Sequence, residues 1–242
     1  MKASPQDQRS LLDVADIDRR LVVANAQRTN PPQVARIHEL QAQRQTQTHE
    51  LTVRAGARDD IQAEIARVES DVNTARTRLE RDEQRLTAAS AKEAVALENE
   101  IASLRRRMSS LEDTELEAME RLEAAEAEVE QTRAAIAATN EEGARLSAEA
   151  KELVADATTA IEGLDRDRAA VLGRVPEALS TLYDRIARNG VGAGLFRESM
   201  CNACRVILTA SDVATIRSAA DDEVLFCPEC GAILVRTEDS GL

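Results

Sequence analysis

The sequence predicts a mainly α protein, a long antiparallel coiled-coil hairpin followed by a small C-terminal β zinc ribbon. Three observations predict it. Aromatic residues are only 1% of the 242 (Tyr183, Phe196 and Phe226, with no Trp), so the rings that supply much of a globular core's buried area are nearly missing. Charged residues make up 31%, with Ala, Glu, Arg and Leu dominant, which is the composition of long helices. All four cysteines fall in one tail segment, as two C-x₂-C pairs separated by 22 residues.

The first element is a helix over about 8–28, where Leu11, Val14, Leu21 and Val22 recur at helical spacing. Pro31 and Pro32 then interrupt it, because proline removes an amide donor and disfavours helical geometry in the residue before it. A second helix over 33–88 starts from that proline pair. Its seam repeats every seven residues in one frame: Ile37, Leu40, Arg44, Gln47, Leu51, Arg54, Arg58, Ile61, Ile65, Val68, Val72, Ala75, Leu79, Asp82 and Leu86. Ser90 and Glu93 form a capping box that opens a third helix over 91–172. The third helix carries its own frame from Leu97 through Ile101, Ala118, Val129, Thr139, Ala157, Ala160, Leu164 and Asp167 to Val171.

The short connection favours an antiparallel hairpin. At 1.5 Å per residue its helices run roughly 84 Å and 120 Å, so residues 1–172 are expected to form a rod. The surplus of the longer helix, about 147–172, is expected to pack against 8–28. With the turn near residue 89, the polar seam positions Arg44, Gln47, Arg54 and Arg58 face a run that holds Glu120, Glu123, Glu126, Glu128 and Glu130. The reading is a layer of Arg–Glu pairs that fixes register; the alternative is a bend or a partner site.

After Val171 the repeat ends. Residues 173–194 read as a short helix, with Pro176 in its first turn and Gly190 closing it, followed by the flexible connector "GVGAG". Residues 195–242 form the cysteine module. "LFRESM", "EVLF" and "AILVR" suit short strands around the cysteines, and Phe196 and Phe226 are expected to fill a small core.

Four cysteines at this spacing point to structural zinc. Two residues between paired cysteines let both thiolates of one turn reach one ion, and Gly231 frees the second turn so that amides can face sulfur. Cys201, Cys204, Cys227 and Cys230 are therefore the metal ligands, with one Zn2+ per chain. The alternatives are iron on the same thiolates, a redox C-x₂-C, or two disulfides. The redox reading lacks a βαβ context, and disulfides fit a secreted protein better than this one.

Charge and hydropathy exclude other classes. The net charge is −13, and residues 91–172 carry 20 acids against 10 bases. Such a surface repels nucleic acid unless a local basic patch overcomes it. The best such patch pairs Arg76, Arg78 and Arg81 with Arg105, Arg106 and Arg107 across the hairpin. Interleaved acids make cross-hairpin ion pairs the plainer reading. The Glu-rich run 112–130 reads as a solvated face, with an acidic docking surface as the alternative. His38 and His49, the only histidines, read as solvent-facing helix residues. No stretch approaches the ~18 apolar residues of a membrane span. Acids stand where a signal peptide would be apolar, so the expected location is cytoplasmic. No phosphate loop or nucleophile arrangement appears. No enzyme activity and no small-molecule substrate are expected.

The assembled features resemble a bacterial family of C4-type zinc-ribbon proteins with a long N-terminal coiled-coil hairpin. The resemblance is carried by "SAKEAVALENEI", "LEDTELEAMERLE", the junction "LYDRIARNGVGAGL", the paired cysteines and "CPECGAIL". Ala232 stands where the family pattern often has Arg, and Val235 where it often has Tyr. The resemblance implies a non-enzymatic adaptor or chaperone-like protein that binds other proteins and is linked in some bacteria to transcription factors. Nucleic-acid binding through the ribbon and the Arg patch is the alternative. A self-associating coiled-coil spacer is a third reading.

Overall fold

Along the chain the elements are α1 (Pro5–Thr29), α2 (Gln33–Leu86), α3 (Ala91–Leu172), α4 (Glu177–Ala187), β1 (Ala193–Arg197), β2 (Met200–Cys201), β3 (Val206–Ile207), α5 (Ala210–Ser218), β4 (Leu225–Phe226), β5 (Ile233–Val235) and a closing 3₁₀ turn, Glu238–Ser240. This is a computed structural model and it describes residues 1–241. It divides into two compact units. One is Ala35–Ser147; the other is Met1–Val34 together with the chain from Ala148 onward.

The first unit is the α2–α3 hairpin. Its turn closes on the expected cap: the Glu93 carboxylate accepts from the Ser90 amide at 3.1 Å and from the Ser90 hydroxyl at 2.6 Å. Steps of three and four keep one stripe of each helix on its partner. From Ile37 to Leu86 every seam position is at least half-buried except Arg44, which is exposed.

The Arg–Glu layer is not formed within the seam, which corrects that expectation. Arg54 donates instead to the Thr132 hydroxyl at 2.9 Å and to the Glu128 carbonyl at 3.4 Å. The Thr139 hydroxyl meets Gln47 Oε1 at 3.0 Å. Arg58 turns to its neighbour Asp59. The glutamates from 120 to 130 point to solvent, so short hydroxyls at 132 and 139 take their place. Arg–Glu pairs flank the seam: Arg36–Glu142 at 2.9 Å and Arg121–Glu64 at 2.8 Å.

In the second unit, Ser4 caps α1 by accepting from the Asp7 amide, and Pro5 opens the first turn. α1 buries Leu11, Val14 and Ile17. Leu11 and Val14 share one core with Val175, Leu179 and Tyr183 around α4, and with Ala193, Ile233 and Val235 of the sheet. The late part of α3 packs here, as expected, but on a shifted stripe. Ile161 and Leu164 are buried and Arg168 half-buried, whereas Ala160 and Asp167 are exposed. Here α3 meets both α1 and α4 instead of one facing helix. Arg168 bridges Asp18 of α1 at 2.6 Å and Asp184 of α4 at 2.7 Å. The Tyr183 hydroxyl donates to the other Asp18 oxygen at 2.7 Å.

The sheet order is β3-β2-β1-β5-β4. β1 pairs in parallel with β5, with Ala193 opposite Ile233, and all other pairs are antiparallel. Two expectations fail here. "GVGAG" is not a flexible connector, because its last residues are the start of the central strand. Gly192 lies against the Tyr183 ring and Gly194 against Ala203, where a side chain would not fit. Nor does the ribbon stand apart from what precedes residue 195, because Ala193, Ile233 and Val235 of its sheet also join the core of α1 and α4. The chain's start joins it: the Ala3 amide donates to Asp222 O at 2.8 Å and the Val224 amide to Met1 O at 3.0 Å.

A smaller core of Phe196, Cys201, Leu208, Ile216, Cys227 and Leu234 lies under the cysteines. Ile216 comes from α5, which the sequence reading did not include. Phe226 is 46% exposed rather than buried, because alternation on edge strand β4 turns Leu225 inward and Phe226 outward. α4 ends at Ala187, before Gly190. Among the described residues no helix is long and apolar enough to cross a membrane.

Candidate metal centre

The two cysteine pairs sit in two chain turns brought together by the sheet. Cys201 ends β2, and Cys227 follows β4. Each turn closes on a backbone hydrogen bond four residues on, Arg205 N to Cys201 O at 2.7 Å and Gly231 N to Cys227 O at 2.9 Å. The four sulfurs all lie within 4.8 Å of one another, with Cys204 and Cys227 at 3.9 Å. Thiolates at ~2.3 Å from a tetrahedral zinc are about 3.8 Å apart. The set fits one structural Zn2+ held by Cys201, Cys204, Cys227 and Cys230. Zinc coordinated by four thiolates has no open position for water or substrate.

The surrounding amides are arranged for thiolate. Those of Ala203 and Cys204 face the Cys201 sulfur, that of Val206 faces Cys204, and that of Ala232 faces Cys230. Without metal, burial pushes the Cys201 thiol up to about 12. Burial raises Cys230 as well. At Cys204 burial acts in the same sense, but the Val206 amide and the other three thiols outweigh it and hold the thiol below its usual range. Zinc therefore displaces protons from at least the two raised thiols.

Position by position the two turns correspond, and one difference stands out. Gly231 follows the second pair with φ 73°, and Arg205 follows the first with φ 61°. A left-handed residue that is not glycine costs roughly 1–2 kcal/mol. The sequence reading noted the glycine and missed its counterpart. The tail departures Ala232 and Val235 are fully buried, so neither offers a surface contact.

The Arg patch lies in the hairpin unit, apart from the cysteines in sequence. Arg78 pairs with Glu100, and Arg105 with Glu83 at 2.6 Å. Arg76 reaches Asn73, at 3.4 Å. Arg81, Arg106 and Arg107 are exposed. His38 and His49 are exposed helix residues, as read.

A closed four-cysteine centre on a five-stranded ribbon, in one chain with a helical hairpin, defines a C4 zinc-ribbon protein of the coiled-coil type. Residues 14–191 match the family model of the CT398-like coiled coil hairpin domain, and residues 200–234 match that of the C4-type zinc ribbon domain. The chain belongs to the CT398-like coiled-coil hairpin family. It is 35% identical to an uncharacterised protein of Mycobacterium tuberculosis over 98% of both chains. An uncharacterised Mycobacterium leprae protein is 30% identical over 73% of this chain and 78% of that one. A solved Mycobacterium smegmatis structure superposes with TM-score 0.76 at 33% identity, covering 98% of this chain and 100% of that one. The structure of CT398 from Chlamydia trachomatis shares the fold, with TM-score 0.59 at 16% identity over 96% and 98% of the two chains.

Proposed function

We propose that this chain is a non-enzymatic, zinc-stabilised adaptor of the cytoplasm that binds other proteins. The observation that carries this reading is the shared core of α1, α4 and the sheet. It fixes the ribbon as part of a helical platform, so the zinc serves to hold a surface in place. An acidic net charge of −13 favours protein over nucleic acid as the partner, and the family resemblance adds a link to transcription factors. The test is a pulldown with the tagged full-length protein from native lysate, in which bound proteins and nucleic acids are both identified. Proteins retained after nuclease treatment and lost with Cys201→Ser support the reading. Recovery of nucleic acid alone overturns it.

Nucleic-acid binding is the second reading, favoured by the exposed guanidiniums of Arg81, Arg106 and Arg107. Phosphate contacts make affinity fall steeply with salt. Binding to generic DNA or RNA near physiological salt is expected to be weak. Submicromolar binding there, lost on Arg106→Glu with Arg107→Glu, would reverse the ranking.

A further inference from the structure

An open cleft of about 1110 Å³ lies in the second unit, between α1, α4, the 190–195 segment and the first cysteine turn. Its walls are of two kinds. Leu12, Leu21, Val22, Val191 and Leu195 give it an apolar side, with Val22 70% and Val191 48% exposed. Its charged lining is mostly satisfied internally. Arg19 pairs with Asp16, and Arg168 takes both Asp18 and Asp184. Two guanidiniums at the cleft, Arg188 and Arg205, are left without a side-chain partner among the described residues. The cleft thus carries surplus positive charge on a chain of net charge −13.

Arg205 is also the residue held at φ 61° where its counterpart is Gly231. Glycine would remove that strain. Non-glycine residues in this conformation persist where the surrounding structure holds them, and they cluster at functional sites; Arg205 lines the cleft.

We propose that this cleft binds a short acidic amphipathic peptide segment of a protein partner, with Arg188 and Arg205 holding its carboxylates and the Leu12, Val22 and Val191 side taking its apolar side chains. Charge complementarity selects the acidic sequence, and exposed valines lining the same cleft as the two guanidiniums select an amphipathic one. A nucleic-acid strand fits less well. Three carboxylates line the cleft, and Tyr183, its one ring, is fully buried and unavailable for stacking. The proposal rests on the adaptor reading and names its surface.

The experiment uses the full-length, zinc-loaded protein to select from a phage-displayed library of short peptides. Enriched peptides should interleave Leu, Ile or Val with Asp or Glu. Binding of one selected peptide, followed by fluorescence anisotropy, should weaken about tenfold or more on Arg205→Gly, on Arg188→Ala and on Val22→Asp. Arg205→Gly should keep its zinc and melt no lower than the parent, so lost binding there does not report lost folding. Enriched peptides indifferent to all three substitutions overturn the cleft and leave the adaptor reading standing. A failure to enrich any peptide, with a single-stranded oligonucleotide binding through Arg188 and Arg205 instead, overturns both. No binding by either probe overturns the cleft.

Discussion

Adding one methyl group at Gly192 separates a packed junction from a flexible one by the sign of its effect. A Cβ built there falls 2.4 Å from Tyr183 Cε2, 2.6 Å from Cζ and 2.9 Å from Cδ2. Carbon atoms in ordinary contact stand ~3.5–4.0 Å apart, so the ring would have to move by about 1 Å or more. It has nowhere to go. Tyr183 is fully buried, and its hydroxyl is tied to Asp18 at 2.7 Å. Overpacking costs about 1–3 kcal/mol. A ring pushed off Asp18 also loses a hydrogen bond to a charged group, about 1–2 kcal/mol at a partly solvated site. Gly192→Ala should therefore destabilise this core by about 2–5 kcal/mol. In a flexible linker the same change stabilises by about 0.4–1 kcal/mol, through the unfolded chain. Gly190→Ala, with nothing within 4 Å of its Cβ, is the matched control. Urea unfolding followed by tyrosine fluorescence reads this core alone, since Tyr183 is the only tyrosine and there is no tryptophan. A Gly192→Ala protein that unfolds at the same urea concentration as the parent, or a higher one, refutes the packed junction.

Chelating the zinc should disorder the ribbon and also loosen the start of α1, while the hairpin stays helical; hydrogen exchange at residues 1–14 that is unchanged without zinc would contradict the shared core. Burial first, and then the Asp18 hydrogen bond, raise the Tyr183 phenol above its ordinary range. The unfolded chain loses that proton near pH ~10 while the folded chain keeps it, so this contribution is full below ~10 and declines above it. Tyrosinate absorbance should appear in the same alkaline step as loss of helix; ionisation near ~10 with circular dichroism intact would refute the assignment. Asp82 sits in the hairpin seam with its side chain 4% exposed, and its nearest cations are at 3.7 and 3.9 Å. Asp82→Leu should leave the thermal melt unchanged or raise the hairpin's stability by about 1 kcal/mol; a clear loss would mean that the carboxylate is needed for register.

The hairpin was legible because one helix faces one helix, and a seven-residue period then reports burial directly. Where α3 meets α1 and α4 together, that period no longer names the buried side chains. Ala160 and Ile161 are both apolar neighbours, and only the packing decides that Ile161 goes in. The cysteines were legible because zinc demands a fixed spacing of thiolates. The cleft was not, since its lining comes from segments far apart in the chain, Asp18 and Arg168 being 150 residues apart. "GVGAG" was misread for a related reason. Glycine permits flexibility and also permits close approach, and the sequence does not say where the Tyr183 ring lies.

The tie between Lys2 and Asp222 spans 220 positions, and this bears on how the protein is made. α1 leaves the ribosome long before the strands that cover Leu11 and Val14. At ~5–20 residues per second the interval is about 10–40 s. The α2–α3 hairpin needs only local closure and can form during that time, as low contact order favours. Until those strands emerge, only α3 and α4 can cover the apolar face of α1, so a message truncated before Cys227 is expected to release a chain with a finished hairpin and an α1 only partly covered.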